Sequence, residues 1–258
     1  MIPPPGECHL WLVPVRPRAG WLPLLDPAER ARAERLAGTP AAAELVTSRA
    51  AQRLIGARYL GGPPAAVRTD RSCTHCGARG HGPPRFVGRP DLVHSVAHAG
   101  GWLLVAVTGG APVGVDLEAP GAARDPVGLA RASLTPDERR RCAELPAAER
   151  PGWLLSAWTR KEAAMKLTGL GLRAAPRLVD VAGPRAVADG VPGWPAGPVL
   201  LRDLPLPDGC VGALATTRPV TRLRWRSLPA AVEAAPVPAG MPDGAADLGV
   251  GVSAGPRG

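Results

Sequence analysis

From Pro112 to Glu118 the chain alternates strictly: Val113, Val115 and Leu117 fall on one side, Gly114, Asp116 and Glu118 on the other. A period of two predicts a strand with one buried face. Further on, Trp158, Glu162 and Lys166 recur at a spacing of four. Pro151 suits a first helical turn there and Gly169 a C-terminal cap, so this stretch is predicted to be one helix carrying those three residues on one face. Two other helix starts share one chemistry, Asp26-Pro27-Ala28-Glu29 and Thr135-Pro136-Asp137-Glu138. Each reads as an N-cap, a proline in the first turn and a glutamate at the third position, which is a capping box.

These elements repeat. The two capping boxes lie 109 residues apart, and the same offset relates the helices predicted at Leu45–Tyr59 and Leu154–Thr168 and the strands at Trp102–Val107 and Val211–Ala215. A shared offset across three elements predicts a duplicated α/β unit with a ligand cleft between the copies. The expected fold is therefore α/β (α+β), a pseudo-dimer of two similar halves, 1–112 and 113–228, with the active site between them. Gly61–Arg89, rich in Gly, Pro, Arg and His, is expected to be a surface loop. Residues 229–258 contain 19 Ala, Gly or Pro and no aromatic, and are expected to be a disordered tail.

Composition narrows the class. Apolar residues make up 45% of the 258, enough for a core, which excludes wholesale disorder. No apolar run reaches the roughly 18 residues of a membrane span. The first residues hold three consecutive prolines and no charged-then-apolar sequence, so no signal peptide is expected and the cytoplasm is the default location. The net charge is +9, yet only two of the 31 basic residues are lysines, Lys161 and Lys166, five positions apart. Against a chain that uses arginine for every other cation, this points to a demand for a compact charge with a movable proton, the plain alternative being chance clustering.

Candidate chemistry gathers in the patterned segments. Asp116 and Glu118 project together from the strand and repel each other unless neutralised, which a divalent cation would do; the plain alternative is a solvated strand end. Glu162 on a helix facing that strand would add a third carboxylate, and Lys166, one turn on, would meet a phosphate; the alternative is a surface ion pair of about 0.2–0.5 kcal/mol. In His94-Ser95-Val96-Ala97-His98-Ala99-Gly100-Gly101, His98 stands among small residues at the turn expected before a strand and is a candidate phosphate ligand, the plain alternative being a structural histidine. Arg30, Arg32, Arg49 and Arg53 suit phosphate but also a solvated helix face. Five scattered cysteines do not form a disulfide framework. Cys73 and Cys76 with His81 leave open a zinc-supported, basic nucleic-acid-binding module, against which stand the spread of the arginines and the lack of interleaved aromatics.

In this order the segments resemble the surfactin-type 4′-phosphopantetheinyl transferases. The resemblance is carried by Ser95-Val-Ala97-His98, Gly114-Val-Asp116-Leu-Glu118, Trp158-Thr-Arg-Lys161-Glu162-Ala163-Ala-Met-Lys166 and Gly169-Leu-Gly171-Leu, and spans roughly residues 20–228. It implies a coenzyme A-binding first half and a Mg²⁺-binding, catalytic second half; because the duplicated halves share one polypeptide, a monomer is expected. The implied activity is that of a holo-acyl-carrier-protein synthase. Phosphopantetheine passes from coenzyme A to a serine of an apo acyl or peptidyl carrier protein, with release of adenosine 3′,5′-bisphosphate and no role for nucleic acid or membrane. The resemblance assigns Asp116, Glu118 and Glu162 to the metal, Glu162 to the serine proton, and Lys166 to the leaving phosphate. It places Arg32, Arg49, Pro84, Ser95, His98, Lys161 and Lys166 around coenzyme A, with Arg49 on the 3′-phosphate. Two departures stand out. Ala97 replaces the family's serine, so Ala97→Ser is expected to tighten coenzyme A. The family's Gly-Lys-Pro segment reads Gly82-Pro83-Pro84, which removes a lysine contact and leaves Arg85 as the nearest replacement. A degenerate transferase that binds coenzyme A but turns over poorly is the reading these departures suggest.

Overall fold

The computed structural model describes residues 1–73, 75–78, 80, 82–122 and 125–228. His81 of the zinc reading and the 229–258 tail lie outside the described residues. The elements run β1 (Glu7–Pro14), α1 (Pro27–Arg35), α2 (Pro40–Leu60), β2 (Thr69–Asp70), β3 (Arg85–Phe86), β4 (Leu92–Ala99), β5 (Trp102–Gly109), β6 (Val113–Glu118), α3 (Pro126–Ser133), α4 (Pro136–Glu144), α5 (Arg150–Thr168), β7 (Arg185–Ala186), β8 (Val199–Pro205), β9 (Val211–Thr216) and β10 (Arg222–Arg226). The protein is a mixed α/β structure. Among the described residues no helix is long and apolar enough to cross a membrane.

Local chemistry explains the helix starts. In α1 the Asp26 carboxylate accepts from the Glu29 amide while Glu29 accepts from the Asp26 amide; Thr135 and Glu138 do the same for α4. Both orphan donors of each first turn are thereby satisfied. Helix α2 starts earlier than its apolar periodicity suggests, because Thr39 caps it through the Ala42 amide and Pro40 takes the first position. Gly169, at φ 70°, ends α5 in the left-handed conformation that glycine adopts at least cost.

Two four-stranded sheets form, in the orders β10-β1-β5-β4 and β6-β9-β8-β7. All pairings are antiparallel except that of β10 with β1. Setting β10 and the short β7 aside, each sheet has the same plan: its first strand pairs with its last, and the middle strand lies outside that. The alternation read in the sequence sorts the side chains. Cys8, Leu10, Leu104 and Ala106 of the first sheet meet Val113, Val115, Leu117 and Leu214 of the second in one shared core. The outer face of the first sheet is covered by α2 through Val46, Ala50, Ala51 and Ile55, that of the second by α5 through Leu154, Ala157, Ala163 and Met165.

Three expectations are revised. The stretch 61–89 is more than a surface loop: it holds the β2–β3 ribbon and sends Val67 and Phe86 into the core beneath α2. His98 belongs to strand β4, which turns into β5 at Gly100 and Gly101, both at positive φ. The boundary after 112 does not separate the sheets cleanly, because β10 adds to the first sheet, where Glu7 holds Arg222 and Arg224.

Candidate active site

The site is set by the way α5 lies across β6. Gly114 permits the approach: a Cβ there would stand 2.0 Å from the Ala163 carbonyl and 2.5 Å from the Leu167 amide. Two residues along the same face, Asp116 Oδ1 accepts from Lys166 Nζ at 2.6 Å. Two further, Glu118 Oε1 accepts from the Trp158 indole at 3.1 Å. The alternation of the strand and the four-residue spacing of the helix thus register one against the other.

This pairing carries unusual electrostatics. Burial pushes the Asp116 carboxyl up to about 7; Lys166 pulls it back, while Glu118 and Glu162 add to the rise. Burial also raises Glu162, again opposed by Lys166 and aided by Glu118. Three carboxylates therefore feel one another around a single ammonium. Asp116 Oδ2 is buried and makes no hydrogen bond. Among the described residues no three His, Cys, Asp or Glu side chains already converge as a ligand cage. The Lys166 ammonium takes the cationic place beside Asp116, and Glu118 is engaged by Trp158.

A cleft of about 470 Å³ opens beside this pair, where β4 of one sheet meets β6 of the other. Arg71, Pro84, Arg85, His94, Ser95 and Lys166 are among its lining residues. Ser95 Oγ accepts from the Val115 amide at 3.0 Å and ties the two strands together, which leaves its O–H as a donor towards the cleft.

Other assigned residues lie elsewhere. Lys161 is wholly buried and paired with Glu138 at 2.6 Å, so it is closed to coenzyme A. It also donates to the carbonyls of Pro176 and Val179. Residue 161 is one step round the helix from Glu162, which turns it to the core. His98 is half-exposed, pairs with Glu44 at 3.3 Å, and lies outside the cleft lining. Ala97 packs into the core shared by the sheets, 2% exposed. A serine there would bury a hydroxyl rather than meet a phosphate, which removes the basis for expecting tighter coenzyme A binding.

The first-half arginines cluster beyond the cleft. Arg49 pairs with Glu29 at 3.1 Å and Arg53 with the same carboxylate at 2.7 Å. Arg32, exposed at the end of α1, adds to the positive field felt by Arg49. Two residues of the cleft went unread in the sequence. Arg71 sits among many arginines, and the environment of His94 is built by α2 and β3, so neither carries a local signal.

A family model described as the 4′-phosphopantetheinyl transferase superfamily matches residues 112–188, which contain β6 and α5. A Synechocystis protein bearing the name of a 4′-phosphopantetheinyl transferase is 30% identical over 182 residues, covering 67% of this chain and 68% of the relative. HetI of Nostoc, named as the same activity, is 28% identical over 81% of this chain and 87% of its own length. The psf-1 transferase of Bacillus pumilus is 34% identical over 36% of this chain and 39% of its own. With the β6–α5 carboxylates inside the matched segment, the chain belongs to the 4′-phosphopantetheinyl transferase superfamily.

Proposed function

We propose that this protein moves the 4′-phosphopantetheine of coenzyme A onto a serine hydroxyl of an apo carrier protein and releases adenosine 3′,5′-bisphosphate. The observation that carries this reading is the Asp116–Lys166 contact, with Glu118 and Glu162 close by, at the edge of a cleft between two sheets.

The donor set suits Mg²⁺. Asp116, with one buried oxygen lacking a partner, Glu118 and Glu162 are hard oxygen donors whose crowded charge a divalent cation would relieve. Such an ion would neutralise charge on the coenzyme A pyrophosphate and orient the transferring phosphoryl group. Lys166 would turn from Asp116 towards the phosphate released, stabilising its charge. Glu162 would accept the serine proton: burial makes its carboxylate a stronger base than an exposed glutamate. The wall formed by Pro84, Val93 and Val113 would shield the pantetheine arm from water.

In this reading the halves 1–112 and 113–228 are two copies of one unit in a monomer. The paired capping boxes and the matching strand orders support it. The carrier belongs to fatty-acid, polyketide or nonribosomal peptide synthesis, and no residue here selects among them. The test is intact-mass spectrometry of apo carrier proteins incubated with this protein, coenzyme A and Mg²⁺. A phosphopantetheine mass gain that vanishes with Glu162→Gln supports the reading. No gain on any carrier, together with no coenzyme A binding, overturns it.

A further inference from the structure

Arg71 lines the cleft between the sheets, and among the described residues it has no carboxylate partner. We propose that Arg71 is a phosphate ligand for coenzyme A, aimed into the cleft by Gln52. This rests on the coenzyme A reading above and adds to it a residue outside every motif that carries the family resemblance.

The argument starts from what holds Arg71. Its carbonyl accepts from the amides of both Gly80 and Gly82. Gly82 is required at that turn, since a Cβ would stand 2.3 Å from the Ser72 carbonyl. Arg71 Nη2 donates to Gln52 Oε1 at 3.2 Å. Gln52 is itself fixed, 1% exposed, with Nε2 donating to the carbonyl and hydroxyl of Ser48 at 2.8 and 3.1 Å. The Oε1 of Gln52 also lies 3.4 Å from His94 Nε2. Arg71 is thus held by a neutral amide, and its Nε is buried without a hydrogen-bond partner.

Charge gives the ligand class. Among the described residues no carboxylate lies within ion-pair reach of Arg71. The nearby Glu29 is shared by Arg49 and Arg53, and Asp26 stands 3.7 Å from Arg53. Four arginines, 32, 49, 53 and 71, therefore face two acids. Burial, with Arg49 and Arg32 adding, depresses Arg71 to about 10 against the pull of Glu29. Arg85 already has its anion: Nη2 donates to Asp70 Oδ2 at 3.2 Å. A half-buried guanidinium with an excess of positive charge behind it, opening on the cleft that holds Lys166, suits a phosphate.

Coenzyme A presents such oxygens at its 3′-phosphate and its pyrophosphate, and calorimetry with coenzyme A and dephospho-coenzyme A separates them. Wild-type protein must first bind coenzyme A; if it does not, the transferase reading fails before the role of Arg71 is in question. Given wild-type binding, Arg71→Gln with unchanged melting should weaken coenzyme A by about tenfold or more. A loss for coenzyme A alone assigns Arg71 to the 3′-phosphate; a loss for both ligands assigns it to the pyrophosphate. Gln52→Leu should give a smaller loss that is not additive with Arg71→Gln. Unchanged binding in Arg71→Gln, or a loss carried by Arg85→Gln instead, overturns the proposal.

Discussion

The Lys161 ammonium lies 2.6 Å from Glu138 Oε2, and both side chains are closed to solvent. Glu138 also accepts from the amides of Thr135 and Val181. One carboxylate thus joins the cap of α4, the middle of α5 and the segment beneath them. An arginine fork would not fit a point where three acceptors converge on one nitrogen. Removing either partner leaves the other buried and uncompensated, at a cost of about 3–5 kcal/mol. Urea unfolding of Lys161→Ala should show that loss.

Glu162→Gln separates activity from stability. Because burial raises its carboxyl in the folded state, Glu162 contributes most to stability when protonated, and that contribution is lost as pH rises. The variant should therefore melt higher than wild type at pH 8, with the gap closing towards pH 5. Its transfer rate should fall by about 10²-fold or more if it removes the serine proton. Calorimetric melting at the two pH values and single-turnover kinetics check the two halves of this expectation.

Gly114→Ala tests the seat of α5. The added carbon would collide with helix backbone, which cannot swing aside as a flexible side chain can. Overpacking of this kind costs about 1–3 kcal/mol or more. Transfer should fall further than the stability loss explains, since the shift moves Lys166 away from Asp116. Denaturant midpoint and transfer rate, measured together, decide this.

Acid sensitivity should trace to His94. Buried and stacked on Phe86 at 4.1 Å, its imidazole is lowered to about 3 by burial, with Arg71 adding to the effect. The unfolded chain protonates near pH 6.5, so it binds the proton first and stability falls as pH drops from there towards 3. At pH 5 the loss is roughly 2 kcal/mol. His94→Leu should flatten that limb of the stability profile between pH 7 and 5; an unchanged slope would assign it to other groups.

Local patterns were legible where neighbours in sequence decide the outcome. Both capping boxes form as read; the strand at 113–118 forms too, but not with one buried face, because α5 lies on its Gly114–Asp116 side and buries that face as well. Trp158 and Lys166 share their face because four residues complete about one turn. Lys161 was misplaced because its rarity marked it as functional, whereas its partner is set by a cap 23 residues earlier. Arg71, His94 and Gln52 come together only through the packing of α2 against the ribbon and β4. No spacing rule reaches across such separations.

The parallel pairing of β10 with β1 has a consequence for synthesis. Residues 222–226 complete a sheet begun at residue 7, so the first half cannot finish its sheet while it emerges from the ribosome. Until then the β1 edge stays open, a template for pairing with another chain. Glu7, which holds Arg222 and Arg224 in the finished fold, meanwhile places a charge on that edge, where a bare apolar strand would invite association.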